Sequence, residues 1–558
     1  MESIKVESFT PEGNMSRARL LFDIVDDGES GLGGGAGRLT ARELGLLTGA
    51  LNFHSLVHPA REFKVVVLRA PEGEYPSLTD EACHRLEWKA DRAAICSLAV
   101  RSTVEADVPH DRGIMPLVID LGGERSEGGT SFYDRAGLKG KVFKRVRFGA
   151  PVAFDALRQG LTDFYEERIL PKRRPQRIAA SQVSSSPSGN RQTGRPPAII
   201  FGLHWLEMGG AERWALEAIA LAKEAGFLPI VLTDRDSWHP WIDRPELDGA
   251  LVLPLSFPLP QGEDADLLLR LLSEFSVRGI HVHHNNWLYH RLPWFKAWDP
   301  SIQIADTLHI LEWRTGGFVE VSVKLSNTID IHHVISPQLR DYLTLLRDIP
   351  KTRVALAPLY GLSDQLESHS AASASESSRP FTVAFIGRLS QQKRPYLFLR
   401  YAAALVKAVG TDVRFIVHGD GALLEETESL VGRYGLTGRV ELRQPPRAVD
   451  DTLAEADLLV ISSDNEGLTL TTFEATAMNV AVLSSDVGSQ ASLVAGQALL
   501  PRQPFAFIKE AVKLTQAVMS SEALRREIIS EQQQKINALK QLPDARGWTK
   551  ALYEGWKA

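Results

Sequence analysis

Residues 457–479, DLLVISSDNEGLTLTTFEATAMN, constrain the fold of this chain more than any other stretch. Leu458, Leu459, Val460 and Ile461 form an apolar run too short for a helix, the pattern of a parallel strand buried on both faces. Residues 462–465 are polar and end the strand, Gly467 breaks the backbone, and helical spacing resumes over 468–478. In an open parallel sheet, ligands gather outside the carboxyl ends of the strands, so this unit puts Glu466 in a binding position. Glu474 lies two helical turns beyond Gly467 and looks over the same crevice. Between them the N–H groups of Leu468, Thr469 and Leu470 are expected to form a seat for a phosphate. A carboxylate accepts hydrogen bonds from two neighbouring hydroxyls, so Glu474 suits a ribose diol and Glu466 a sugar hydroxyl. The plain alternative is a pair of solvated surface glutamates.

The rest of the chain supplies the context. Its 558 residues allow three or four domains. A net charge of −6 leaves no global basic field for nucleic acid. Cys83 and Cys96 are the only cysteines and form neither a disulfide framework nor a metal spacing, which predicts a reducing, cytoplasmic compartment. The amino terminus lacks a charged-then-apolar leader, and no run approaches the roughly 18 apolar residues of a membrane span. A soluble protein is expected, with peripheral contact at the inner face of a membrane left open.

Strand and helix patterns alternate twice. The first block reads as strands at 198–205, 228–232, 280–283, 303–310, 332–336 and 353–358, with helices at 211–225 and 267–275. The second has strands at 381–386, 413–417, 439–442, 458–461 and 481–485 and helices at 395–409, 423–434 and 449–456. Such alternation predicts two doubly wound, Rossmann-like parallel-sheet domains facing one crevice. We place them at 198–362 and 381–535, with Ser/Pro-rich linkers at 181–197 and 363–380 and a helical tail at 536–558 packing back on the first. Residues 1–180 are read as a separable α+β accessory domain. Strands are expected at 19–25 and 63–68, a helix at 86–100, a flexible loop at 31–37, and a charged edge strand at 141–148.

With these elements in order, residues 197–520 resemble the family-4 retaining glycosyltransferases of the GT-B fold. The resemblance rests on Gly209-Gly210-Ala211-Glu212 after the first strand, Gly387-Arg388-Leu389-Ser390-Gln391-Gln392-Lys393-Arg394, His418-Gly419-Asp420-Gly421, and Glu466-Gly467-Leu468 through Phe473-Glu474-Ala475. It implies transfer of a sugar from a nucleoside diphosphate, with a UDP-sugar as the default donor and no cofactor. The site it implies has His309 and Glu466 as catalytic residues. Donor contacts would come from Gly209, Gly210, Arg388, Lys393, Gly467, Leu468, Thr469 and Glu474, with Arg388 and Lys393 on the diphosphate and no metal. The acceptor would be a saccharide, a lipid-linked group or a protein, in surface polysaccharide or glycoconjugate synthesis; homo-oligomerisation stays open and no nucleic acid is expected.

The chain also departs from that family. After the strand 481–485, the usual glycine pair and following glutamate are replaced by Gly488-Ser489-Gln490-Ala491-Ser492. A nucleotide-sugar epimerase and a non-catalytic binding protein of the same fold remain as rival readings. Asp234-Arg235-Asp236 and Asp264-Ala265-Asp266 are read as turn and cap residues rather than metal ligands, and His281, His283 and His284 as an acceptor-facing wall or as packing.

Overall fold

The computed structural model describes residues 19–26, 39–105, 113–124, 145, 147–168, 194–312, 317–360, 379–410, 413–444 and 447–557. The expected linkers lie mostly outside these residues, as does the glycine run at 31–37. The chain opens with β1 (Phe22–Asp26), α1 (Ala41–Val57), β2 (Glu62–Arg69), β3 (Ala93–Ser102), β4 (Ile114–Asp120) and α2 (Pro151–Arg168). The four strands make one mixed sheet in the order β1-β3-β2-β4. A helix at 86–100 is therefore a misreading. Burial alternates along β3, and antiparallel partners on both sides hold it extended. Helix α1 left no periodic signal because it is buried almost all round, between this sheet and the next. Thr40 and Glu43 close its first turn as a capping box.

The first parallel-sheet domain runs through β5 (Pro197–Leu203), α3 (Gly210–Glu224), β6 (Leu228–Thr233), β7 (Leu251–Pro254), α4 (Glu263–Glu274), β8 (Ser276–His283), β9 (Gln303–Leu308), α5 (Gly317–Lys324), β10 (Ile331–Val334) and β11 (Val354–Leu356). Its strands are all parallel, in the order β11-β10-β9-β8-β5-β6-β7. The second comprises β12 (Phe381–Ile386), α6 (Pro395–Val409), β13 (Val413–His418), α7 (Leu424–Arg433), β14 (Val440–Arg443), α8 (Val449–Glu455), β15 (Leu458–Ile461), α9 (Leu470–Ala477), β16 (Ala481–Ser485), β17 (Leu499–Leu500) and α10 (Pro504–Ser520). The order there is β14-β13-β12-β15-β16-β17. Each sheet reverses direction once, at β5/β8 and at β12/β15, and these switch points set where a ligand binds.

The expected separability of the first 180 residues does not match this packing. Helix α1 lies on β7 and α4, while α2 crosses to α6 and α10 of the second parallel-sheet domain. The basic strand face at 141–148 is also corrected where it is described: Arg145, Arg147 and Phe148 are helical, and Arg147 is buried 3.5 Å from Glu426. The remaining residues of that stretch lie outside the described ones.

After α11 (Glu522–Lys540) the chain breaks at Pro543, and α12 (Ala545–Gly555) returns to the first parallel-sheet domain. There it packs on α3 and covers β8. Gly279 on β8 leaves room for Trp556, whose ring carbons would lie 2.2 Å from any added Cβ. Tyr553 starts a hydrogen-bond chain across the sheet. Its hydroxyl lies 2.6 Å from His281 Nδ1, His281 Nε2 is 2.8 Å from Thr307 Oγ1, Thr307 Oγ1 is 3.0 Å from His333 Nδ1, and His333 Nε2 is 2.8 Å from the Ala357 carbonyl. A carbonyl only accepts, so every proton in the chain points towards Ala357 and both imidazoles are neutral. Burial holds the two rings to pKa values of about 3 and about 4. His281 is thus a packing residue. Tyr553→Phe orphans the His281 lone pair and is expected to cost about 1–3 kcal/mol, and Trp556→Ala about 3–5 kcal/mol, both read by chemical denaturation.

Candidate active site

The carboxyl ends of β5, β8 and β9 face those of β12 and β15 across one crevice with two lobes. One lobe, of about 710 Å³, is lined by His204, His284, His309, Phe318, Asn465 and Glu466. The other, of about 1190 Å³, is lined by Arg213, His418, Asp420, Val449, Glu474 and Arg546. Gly209, Gly210, Arg388, Lys393, Leu470 and Thr471 line both. All ten residues singled out from the sequence border this crevice, but its two glutamates stand in different lobes with the cations between them.

Glu466 is 4% exposed and held from two sides. Lys393 Nζ donates to its Oε1 at 2.6 Å and Ser463 Oγ to the same oxygen at 2.5 Å. Glu474 is half-buried and its carboxylate has no hydrogen-bond partner among the described residues. Burial and nearby Asp450 push its pKa up, against the pull of Arg213. Arg388 is exposed and makes no ion pair with any described residue. The two cations of the loop therefore differ, one tied to a carboxylate and one open to an anion.

The anion seat begins later than the sequence spacing suggested. Leu468 is buried and Thr469 is the extended N-cap, so α9 starts at Leu470 and its first free N–H groups are those of Leu470 and Thr471. Gly467 meets the other domain, since an added Cβ would stand 2.3 Å from the His309 carbonyl oxygen. His309 itself is 7% exposed, with a buried Nε2 that has no hydrogen-bond partner. Burial and the neighbouring His333, His281 and His204 hold it neutral, at a pKa of about 3. His284 packs edge-on at 5.1 Å between ring centroids and stacks on Phe318 at 4.5 Å. Glu212 fixes the first-strand loop. Burial alone would push its carboxyl up, but His204 at 3.2 Å and the Trp205 N–H at 2.9 Å bring it below the ordinary range.

The divergent loop at 488–492 is a staple. Gly488 has a φ of +55° and passes so close to Glu466 that a Cβ would lie 1.8 Å from its carbonyl oxygen. Gln490 donates to the Gly467 carbonyl at 3.0 Å and accepts from Ser484 and Thr469 at 3.2 and 3.3 Å. Ser489 donates to Ser336 Oγ at 2.7 Å and Ser492 to Gln338 at 2.9 Å, which ties this loop to the first parallel-sheet domain. The two Asp-x-Asp stretches serve local structure: Asp234 accepts from the Trp287 N–H at 2.9 Å, and Asp264 pairs with Arg291.

Sequence reasoning missed Arg158 and Thr162, which reach the crevice wall from α2. Their support is a buried ion network. Arg394 is fully buried with a left-handed φ of +54°, its Nε 2.8 Å from Asp155 and its Nη2 2.7 Å from Asp464. Arg158 bridges the same two carboxylates at 2.7 and 2.6 Å. Arg502 joins Asp464 to Asp163 at 3.2 and 2.9 Å. Asp155, Arg158 and Thr162 recur at helical spacing, the one signal that could have marked this face.

Residues 380–517 match a family model described as "Glycosyl transferases group 1". The chain is 36% identical to the D-inositol 3-phosphate glycosyltransferase of Salinispora tropica over 121 residues, which cover 20% of this chain and 25% of that one. Against the enzyme of that name from Corynebacterium diphtheriae the identity is 27% over 235 residues, 37% of this chain and 55% of the other. The alpha-D-kanosaminyltransferase of Streptomyces kanamyceticus is 26% identical over 164 residues, 29% of this chain and 37% of its own. The chain thus spans between a quarter and a little over half of these relatives. Among solved structures, a glycosyltransferase from Rickettsia africae superposes with a TM-score of 0.48 at 14% identity, over 65% of this chain and 98% of that one. The Anabaena HepE structure in complex with UDP and glucose gives 0.48 at 18% identity, over 64% and 99%.

The buried network is open to a direct test. Asp464→Asn leaves Arg394 short of an anion and is expected to cost about 3–5 kcal/mol. Burial pushes the Asp464 carboxyl up, but Arg394, Arg158 and Arg502 outweigh it and hold the pKa below the ordinary value. A depressed folded-state pKa contributes stability that is complete above the unfolded value, about 3.9, and lost as pH falls through the folded one. Wild type should therefore lose more stability than Asp464→Asn below about pH 4, as measured by urea unfolding across that range.

Proposed function

We propose that the chain, whose residues 380–517 match the group 1 glycosyl transferase model and whose two parallel-sheet domains give it a GT-B architecture, transfers a sugar from a nucleoside diphosphate to a hydroxyl acceptor with retention of anomeric configuration. The carrying observation is the placing of two carboxylates in two lobes with Arg388, which pairs with no described residue, lining both. Glu474, whose carboxylate has no hydrogen-bond partner among the described residues, takes the ribose hydroxyls. The diphosphate crosses between the lobes beneath Arg388, Lys393 and the first N–H groups of α9, and the sugar enters the lobe of Glu466 and His309. A neutral imidazole with an unpaired nitrogen suits a sugar hydroxyl. It is no general acid at neutral pH.

In this reading the anomeric carbon–oxygen bond breaks with its electron pair passing to the diphosphate. The acceptor oxygen bonds to the same face, and its proton moves to the departing phosphate oxygen. Arg388 and the helix N-terminus stabilise the growing charge in place, without reorganisation. Lys393 adds charge and positions Glu466. The inferred donor is a UDP-sugar and the acceptor a saccharide or glycoconjugate; neither cofactor nor metal is required for the step.

Thermal-shift measurements with UDP, GDP, ADP and their sugars should find one base that stabilises the protein, by ~2.7 kcal/mol at 100 times its dissociation constant. Glu474→Gln is expected to abolish most of that shift and raise KM, because the ribose is remote from the breaking bond and is bound alike in ground and transition states. Glu466→Gln should mainly lower kcat. Identical effects of both changes on the two constants would refute the division.

Arg388→Ala and Lys393→Ala should each slow transfer about 10- to 200-fold, since a charge-assisted hydrogen bond is worth roughly 1.5–3 kcal/mol. Initial rates are expected to be unchanged after brief EDTA treatment. Abolition by EDTA with rescue by magnesium or manganese would overturn the metal-free step.

A further inference from the structure

A cluster of histidines lies outside the crevice, where the amino-terminal sheet meets the first parallel-sheet domain. His54 stands in the last turn of α1 and His58 caps it, so their spacing of four puts both rings on one helix face. His84 ends a short turn, Glu81–His84, and Glu263 is the first residue of α4. Each offers one ligand atom, and these four atoms all lie within 4.8 Å of one another. Glu263 Oε1 is 2.9 Å from His58 Nε2 and 3.2 Å from His84 Nε2. None of the four lines either lobe of the crevice.

Two further observations point to a ligand. His54 is fully buried and its Nε2 is 3.1 Å from the Leu78 carbonyl oxygen. A carbonyl only accepts, so that nitrogen carries the proton and Nδ1 keeps a lone pair, which has no hydrogen-bond partner. This is the tautomer-fixing contact that a metal-bound imidazole makes through its outer nitrogen. Glu263 is 4% exposed, and its Oε2 is likewise buried without a partner. A hydrogen-bonded His–Glu network accounts for Oε1 alone. It leaves two buried acceptors unsatisfied, at a real cost.

We propose that His54, His58, His84 and Glu263 form a tetrahedral zinc site that clamps the amino-terminal sheet to the first parallel-sheet domain. Three imidazoles and one carboxylate suit zinc, whereas calcium and magnesium prefer oxygen donors throughout. Bonds of about 2.1 Å in a tetrahedron separate the ligand atoms by about 3.4 Å, and the two Glu263 contacts are already near that value. Four protein ligands leave no open position, so the site is structural. His58 and His84, at 19% and 26% side-chain exposure, give the ion a way in. Each of three segments contributes, so metal binding resists their separation.

The full chain, made without a polyhistidine tag and dialysed against chelator, is titrated with zinc and with cobalt(II) as a coloured probe. The expected result is saturation at one ion per chain, visible bands of tetrahedral cobalt, and a melting temperature that rises with zinc. Glu263→Gln preserves shape and His84→Ala lies at the rim; each should weaken binding by at least about 100-fold, given the 10- to 100-fold that outer-shell partners alone command. Their melting temperatures should no longer respond to zinc. Absence of stoichiometric uptake by wild type would overturn the proposal whether or not the variants fold, as would unchanged affinity in folded His84→Ala or Glu263→Gln. The readouts are metal content, colour and melting, so they are independent of any glycosyl transfer.

Discussion

Arg394 is the point on which the crevice depends. A guanidinium with no exposure cannot shed its charge, so it must be met by anions inside the protein. Asp464 comes from the end of β15 and Asp155 from α2, a segment some 300 residues earlier. Meeting that charge therefore fixes α2 against the second parallel-sheet domain and locks the backbone two residues before Glu466. It also holds the loop that carries Arg388 and Lys393, because Ser462 accepts no freedom either: its hydroxyl donates to the Lys393 and Arg394 carbonyls at 3.0 and 3.1 Å. The groups that line the crevice are set by an ion network whose centre, Arg394, is fully buried.

The second organising constraint is steric. Gly467 and Gly488 allow three backbone segments, the His309 strand end, the Glu466 turn and the divergent loop, to meet without side chains between them. That contact defines how close the two parallel-sheet domains come at the narrow lobe. The loop at 488–492 then reinforces it, through Gln490 within the domain and Ser489 across to Ser336. These contacts between the domains are hydrogen bonds between neutral groups.

Much of this was legible in the chain. The strands 381–386, 458–461 and 481–485 and the helix 395–409 can be read to the residue, because they are apolar runs bounded by glycine, proline or polar residues. All ten candidate residues border the crevice because the alternation dictates where strands end: nine lie in the loops that follow strand ends or at the first residue of the next helix, and Glu474 further along such a helix. What the sequence hid is buried polarity. Helix α1 has no polar face to give a period, and β3 resembled a helix because alanine and leucine fit either element. Arg394 looks like one more cation beside Lys393. Only its partners, on α2 and just after β15, show that one faces the crevice and the other the interior.

The return of α12 has a consequence for how the protein is made. His281 and Tyr553 are 272 residues apart, yet the hydrogen-bond chain through β8, β9 and β10 is complete only when both are present. At about 5–20 residues per second, a ribosome leaves β8 without its cover for roughly 15–50 s. During that interval the groove at Gly279, shaped for an indole, is open and apolar, and the first sheet must wait while the second is synthesised and folds. Nascent chains of this protein therefore pass through a stage in which a nearly finished domain still shows its core to whatever chaperones attend it.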